Sequence, residues 1–332
     1  MVLPGKVAVL GGGSWATALA KMILENCREI NWYMRRQDRI DDFCRHGHNP
    51  AYLSSVSFDT SRITFFSSLD EVAVNSDTLV FATPSPYLKQ HLTRLTTDIS
   101  GKFIVSAIKG IVPEENKVVS GYFADHYGIS PERIVAIGGP SHAEEVALER
   151  LCYLTFACDD IENAQIAARL FSTHYVRTTV SADAKGIEYA GVLKNVYAIA
   201  AGICYGLKSG DNFQSILVSN AIREMERFLN AACPAEGRDI DRSAYLGDLL
   251  VTAYSRFSRN HMLGNFIGCG YSVKSSLDEM EMIAEGYYGA KCTKEINSSV
   301  GVHMPILDSV YSVLYQGVPA TRAISELTKE LD

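Results

Sequence analysis

Apolar residues recur along this 332-residue chain in two rhythms. Over roughly the first 180 residues, short apolar runs alternate with stretches of mixed polarity. Val7–Leu10, Glu29–Met34, Arg62–Phe65, Asp77–Ala82, Phe103–Ala107, Arg133–Gly138, Cys152–Ala157 and Tyr175–Val180 have the length and texture of strands. Ser14–Cys27 and Ala164–Phe171 between them carry helical spacing. Strands alternating with helices call for a doubly wound parallel sheet. After Val180 long helical patterns rich in Ala, Leu, Ile and Tyr take over. One of them, from Gly186 to Leu207, is apolar around nearly its whole circumference and is expected to be buried. "CPAEGRDID" (Cys233–Asp241) reads as a polar connection between helices. The pattern predicts an α/β domain over 1–181 and an all-α domain over 182–332.

The first strand breaks into "GGGSWATALA". The spacing is Gly11-x-Gly13-x-x-Ala16, directly after a strand and opening a helix at Ser14 and Trp15. Gly11 makes the tight turn, and Gly13 lets backbone approach a pyrophosphate. The free N–H groups and positive end of the helix then face the phosphates. This places a Rossmann-type, dinucleotide-binding sheet in the first domain. At the tip of the second strand a carboxylate commonly holds the ribose hydroxyls of NAD. Here that tip carries Arg35 and Arg36, with Asp38 the first acid beyond. Arginine pairs with a 2′-phosphate, so NADPH is expected to be preferred, with NADH also accepted.

Composition narrows the partners. Thirty-one Lys and Arg stand against 38 Asp and Glu, giving a net charge of −7 with no basic block, which argues against nucleic acid. The eight cysteines are scattered with no CxxC pair, as expected for reduced thiols in a cytoplasmic protein without a zinc site. No leader is expected, because Val7–Leu10 already reads as core. The most apolar helix carries Glu188, Lys194 and Asn195 and makes a poor membrane span.

Three places can do chemistry. Lys109 follows the strand Phe103–Ala107, and the ends of parallel strands face the ligand crevice. Lys194 and Asn195 sit mid-way along the apolar helix, where an ammonium is costly unless paired or facing a polar cavity. Burial lowers a lysine pKa and suits it to proton transfer near neutrality. In "GDLLVTAYSRFSRN", Asp248 and Thr252 share one helix face. Ser258, Arg259 and Asn260 follow within about two turns and suit a phosphate.

Taken together, these residues resemble the bacterial NAD(P)-dependent glycerol-3-phosphate dehydrogenases. The resemblance runs nearly end to end through "GGGSWATALA", "SAIKG", "GGPSHAEE", "GVLKNVYAIAAG", "GDLLVT", "SRN" and "AEGY". It implies reversible hydride transfer between a nicotinamide and dihydroxyacetone phosphate or sn-glycerol 3-phosphate, feeding phospholipid synthesis. It implies Lys194 as proton donor and Lys109 as a second lysine near both the reacting oxygen and the nicotinamide. Gly139, Ser141, Asn195, Asp248, Thr252, Ser258, Arg259 and Asn260 become substrate residues. Gly11, Gly13, Ser14, Trp15, Arg35, Arg36, Lys109, Ala143, Arg259, Ile283 and Glu285 become cofactor residues. A homodimer is expected. Departures from the family pattern fall at Ala16, His142, Leu151-Cys152 and Asn220-Ala221. Lys109 should lower the Lys194 pKa and Asp248 should raise it, and the sequence leaves that balance open. Two other readings stand beside this one: a 3-hydroxyacid dehydrogenase or ketopantoate reductase, and a dinucleotide-binding redox sensor without turnover.

Overall fold

A computed structural model describes residues 5–255, 257–280 and 282–332. The chain divides into two compact units. The first runs to Ile108 and resumes over Val119–Ala184; the second takes Lys109–Val118 and Lys185–Asp332.

Eight strands form the sheet of the first unit: β1 (Val7–Leu10), β2 (Ile30–Tyr33), β3 (Ile63–Phe66), β4 (Thr78–Phe81), β5 (Phe103–Ser106), β8 (Ile134–Gly138), β9 (Cys152–Ala157) and β10 (Val176–Ser181), in the order β10-β9-β8-β5-β4-β1-β2-β3. The remaining two strands, β6 (Ile111–Val112) and β7 (Lys117–Val118), form an antiparallel hairpin that belongs to the second unit. The helices of the first unit are α1 (Ser14–Asn26), α2 (Gln37–His46), α3 (Leu69–Val74), α4 (Ser85–Leu92), α5 (Val119–Tyr127), α6 (Ala143–Ala147) and α7 (Ile161–Phe171). Each of the eight apolar runs forms a strand of this sheet, because strands covered on both faces are apolar throughout. The four residues of β1 are all buried, and so are those of β2 and β4.

The sheet departs from the all-parallel expectation at one place. β9 runs antiparallel to β8, pairing Ile137 with Phe156, and β10 is parallel to β9. A parallel return needs a crossover, usually a full helix. Between β8 and β9 there is only the five-residue α6 and a turn at Glu149, whose φ is +55°. The eleven-residue α7 makes the crossover from β9 to β10.

Among the described residues, the second unit is helical apart from the hairpin. It contains α8 (Ala184–Gly206), α9 (Gly210–Ala232), α10 (Asp248–Tyr254), α11 (Arg259–Gly268), α12 (Val273–Asp278), α13 (Glu285–Val300), α14 (Pro305–Gln316) and α15 (Ala320–Leu327). The stretch "GDLLVTAYSRFSRN" is therefore two helices, with Ser258 capping the second through a bond from His261 N to its Oγ (3.2 Å). α8 and α11 cross backbone to backbone. A Cβ on Gly202 would lie 2.0 Å from His261 O, and one on Gly264 would lie 2.1 Å from Ile199 O. Glycine alone allows that approach, which brings the start of α11 beside the middle of α8.

Candidate active site

In the first unit the glycine turn is fixed from several sides. Gly11 has φ +139°, and a Cβ there would stand 3.0 Å from Ala82 O. Its N–H donates to Tyr33 O (3.1 Å), and its carbonyl accepts from the Trp32 indole (2.7 Å). Asn49 donates from Nδ2 to Gly12 O (3.1 Å) and to Thr17 Oγ1 (2.8 Å). No sequence pattern pointed to Asn49. A Cβ on Gly13 would meet nothing within 4 Å, and no side chain caps α1. The residues therefore fit a dinucleotide pyrophosphate: open space lies before a long helix whose first turn lacks a side-chain acceptor. The Trp15 indole donates to Ala107 O (3.1 Å), tying the start of α1 to the end of β5. Arg35 and Arg36 are exposed just beyond β2, where Arg36 forms an ion pair with Asp38 through Nε and Nη2. At the end of β8, Gly139 has φ +104° and accepts from Ser141 Oγ (3.1 Å). Ala143 is buried at the start of α6.

In the second unit three distant stretches bring two ammonium groups onto one carboxylate. Lys194 Nζ donates to Asp248 Oδ1 (2.5 Å) and Lys109 Nζ to Asp248 Oδ2 (3.3 Å). Lys194 is 5% exposed and Asp248 1%. Burial is the largest influence on Lys194. With help from Lys109 it outweighs the Asp248 charge and brings the pKa down to about 7. Burial would raise the Asp248 carboxyl, yet the two lysines hold it below its ordinary value. The balance that the sequence left open thus falls toward a proton that Lys194 can release near neutrality. Asn195 donates from Nδ2 to Lys109 O (2.9 Å), fixing the chain at the start of the hairpin. Thr252 donates to Asp248 O (2.5 Å), one turn back in α10.

Ser258, Arg259 and Asn260 stand at the start of α11, with Ser258 and Asn260 buried. Asn260 Oδ1 accepts from Gly286 N (2.8 Å), and a Cβ on Gly286 would lie 2.5 Å from Asn195 O. Gly286 thereby joins α8, α11 and α13. Its signal was the "AEGY" run, which the sequence reading tied to Glu285 instead. Arg259 Nη1 points at Met282 Sδ (3.5 Å). Ile283 is half-buried before α13, and Glu285 opens that helix. Of the expected substrate residues, Asn195, Asp248, Thr252, Ser258, Arg259, Asn260 and Lys109 lie in the second unit. Gly139 and Ser141 lie in the first.

A mostly parallel sheet whose glycine turn fits a pyrophosphate, together with a buried lysine able to exchange a proton, defines a dinucleotide-dependent oxidoreductase. The model of the NAD-dependent glycerol-3-phosphate dehydrogenase N-terminus matches residues 6–164, and that of the C-terminus matches residues 183–325. This chain belongs to the NAD-dependent glycerol-3-phosphate dehydrogenase family. It is 34% identical over 324 residues to the glycerol-3-phosphate dehydrogenase [NAD(P)+] of Chlorobium limicola, covering 97% of this chain and 96% of that protein. The enzyme of the same name from Limosilactobacillus reuteri is 33% identical over 329 residues, again covering 97% and 96%. In fold, the chain resembles the glycerol-3-phosphate dehydrogenase of Coxiella burnetii, with a TM-score of 0.89 at 24% identity over 98% of this chain and 99% of that one. A putative 2-dehydropantoate 2-reductase from Enterococcus faecalis shares the fold more distantly. Its TM-score is 0.51 at 12% identity, over 96% of this chain and 99% of that one.

Proposed function

We propose that the protein reduces dihydroxyacetone phosphate to sn-glycerol 3-phosphate, reversibly, with NADPH as the preferred reductant and NADH also accepted. The observation that carries this reading is the buried Lys109–Asp248–Lys194 cluster. When bound, the dinucleotide would supply the hydride for C2 of the ketone. As that carbon is reduced, its carbonyl oxygen gains negative charge, and Lys194 Nζ gives it a proton, leaving a secondary alcohol and a neutral amine. Lys109 stabilises the developing alkoxide. Asp248 holds both ammonium groups in place, while Thr252 and Asn195 steady the backbone that carries Asp248 and Lys109. Ser258, Arg259 and Asn260 take the substrate phosphate, for which Arg259 offers a planar, two-pronged donor.

In this reading residues 1–181 hold the dinucleotide through Gly11, Gly13, Ser14, Trp15, Arg35 and Arg36. Residues 182–332 hold the substrate, with Lys109, Gly139 and Ser141 contributed from the earlier part of the chain. Ala143, Ile283, Glu285 and Arg259 complete the cofactor contacts. A homodimer fits the apolar side chains that the second unit exposes, among them Tyr205, Tyr254, Phe257 and Tyr271. Among the described residues no cysteine forms a disulfide, which suits a reducing, cytoplasmic setting. A carboxylate-specific reductase of the same fold gives no reason for Ser258, Arg259 and Asn260 to stand together at one helix start. A redox sensor gives none for two lysines on one buried carboxylate. The test is to follow NADPH absorbance on adding dihydroxyacetone phosphate or ketopantoate, with small hydroxyacids assayed in the reverse direction against NADP+. Oxidation of NADPH by the triose phosphate alone is expected. Turnover of only the carboxylates, or of nothing, overturns the reading.

A further inference from the structure

Three arginines stand near the tip of β2, and they differ in what they face. Arg36 is committed to Asp38 through two bonds, so its charge is balanced locally. Arg35, two residues past the end of β2, has no carboxylate partner among the described residues, and neither has Arg94, two residues past the end of α4. These two exposed cations come from different elements but bear on the same pair of rings. Tyr33, the last residue of β2, is buried, and its phenol meets His91 Nε2 at 3.1 Å with ring centroids 5.2 Å apart. His91 Nδ1 lies 3.4 Å from Thr83 Oγ1, just past β4, and Arg94 N donates to His91 O (3.3 Å), closing the turn after α4. The Tyr33–His91 pair thus bridges the elements that carry the two arginines. β2 and β4 flank β1, whose end is the glycine turn.

The charges agree with this placement. Burial first, then Arg94 and Arg35, brings His91 down to about 4, so the imidazole is neutral at physiological pH and adds no third cation. Burial raises the Tyr33 phenol, while Arg94 and then Arg35 act against it. Two guanidinium groups near one neutral, ordered platform repel each other, and a dianion between them relieves the repulsion while gaining charge-assisted hydrogen bonds.

We infer that Arg94, with Arg35, forms the subsite for a phosphomonoester dianion, the 2′-phosphate of NADPH, and that the Tyr33–His91 pair holds the two arms in register. The tip of the second strand is where this fold reads the adenosine ribose, which identifies the anion. The assignment rests on the NADPH preference proposed above. It makes Arg94 a specificity-determining residue.

The test is fluorescence titration of NADPH and NADH into the full-length protein and into Arg94→Gln, Arg94→Lys and Arg35→Gln. Arg94→Gln is expected to lower the NADPH-to-NADH affinity ratio about tenfold, the worth of roughly one charge-assisted hydrogen bond. Arg94→Lys should recover part of that loss. Adenosine 2′-phosphate, used as a competitor, should lose affinity in step with NADPH. An unchanged ratio in Arg94→Gln beside a lowered one in Arg35→Gln overturns the role of Arg94 alone. A ratio of one in the unaltered protein overturns the NADPH preference itself, and the subsite with it.

Discussion

The first unit builds its candidate site from backbone and the second from side chains. Around Gly11 the donors and acceptors are peptide groups, and side chains such as Trp32 and Asn49 only hold the turn in shape. Around Asp248 the backbone is a frame, and the chemistry sits on three ionisable groups buried together. A site made of backbone is fixed by a few residues adjacent in sequence, so it tolerates change in its surroundings and fails when a Cβ enters it. A site made of buried charges depends on every partner at once, because removing one leaves the others unbalanced in a poor solvent.

Lys194→Ala offers the sharpest contrast. It is expected to lower kcat for triose phosphate reduction about 1000-fold, within the range for loss of a general acid. Dinucleotide affinity should hold; stopped-flow turnover with a parallel NADPH titration checks both. Near-normal turnover would take Lys194 out of the mechanism. Arg259→Ala should act on KM for the phosphorylated substrate, raising it about 30-fold, with a smaller change in kcat, as expected for a lost charge-assisted contact. An unmoved KM places the phosphate elsewhere. Gly11→Ala should weaken NADPH binding about tenfold through backbone strain and the approach to Ala82 O. Saturating NADPH should restore turnover, since the second unit is untouched.

The mildest test is pH. In the proposed mechanism the acid form of Lys194 drives reduction, and its pKa in the free protein is brought down to about 7. kcat/KM for reduction should therefore be level below that value, halved near it, and fall about tenfold per further unit. The reverse reaction needs the neutral amine and should rise over the same interval. A reduction profile that stays flat to pH 9 would break the link between burial and proton transfer.

The same contrast explains what the sequence revealed. The eight apolar runs and the Gly11–Gly13 turn are local, written in adjacent residues, and the fold displays them where the pattern placed them. Lys194 stood out because an ammonium in an apolar helix is anomalous wherever its partner lies. That partner, Asp248, is far along the chain, and only tertiary packing shows that it also takes Lys109. The reversal at β9 was hidden because it depends on how short α6 is, and a period-based reading fixes helix length poorly. The hairpin of β6 and β7 has two residues per strand, too few for any periodicity to register. Resemblance to a family supplied the roles of Gly139, Ser141 and Ile283, which no physical feature of the sequence marked.

The loan of Lys109–Val118 to the second unit has a consequence for synthesis. The chain leaves the first unit after Ile108, makes a short excursion, and returns at Val119. A fragment beginning at Lys185 would inherit Asp248 and Lys194 but not their third member, leaving the carboxylate with one cation. During translation, Lys109 emerges well before the helix that carries its partner, so its hairpin must wait, undocked, until the carboxyl-terminal bundle exists. Splitting the gene at the apparent boundary should therefore separate Lys109 from Lys194 and Asp248, and the two polypeptides should regain activity only on co-expression.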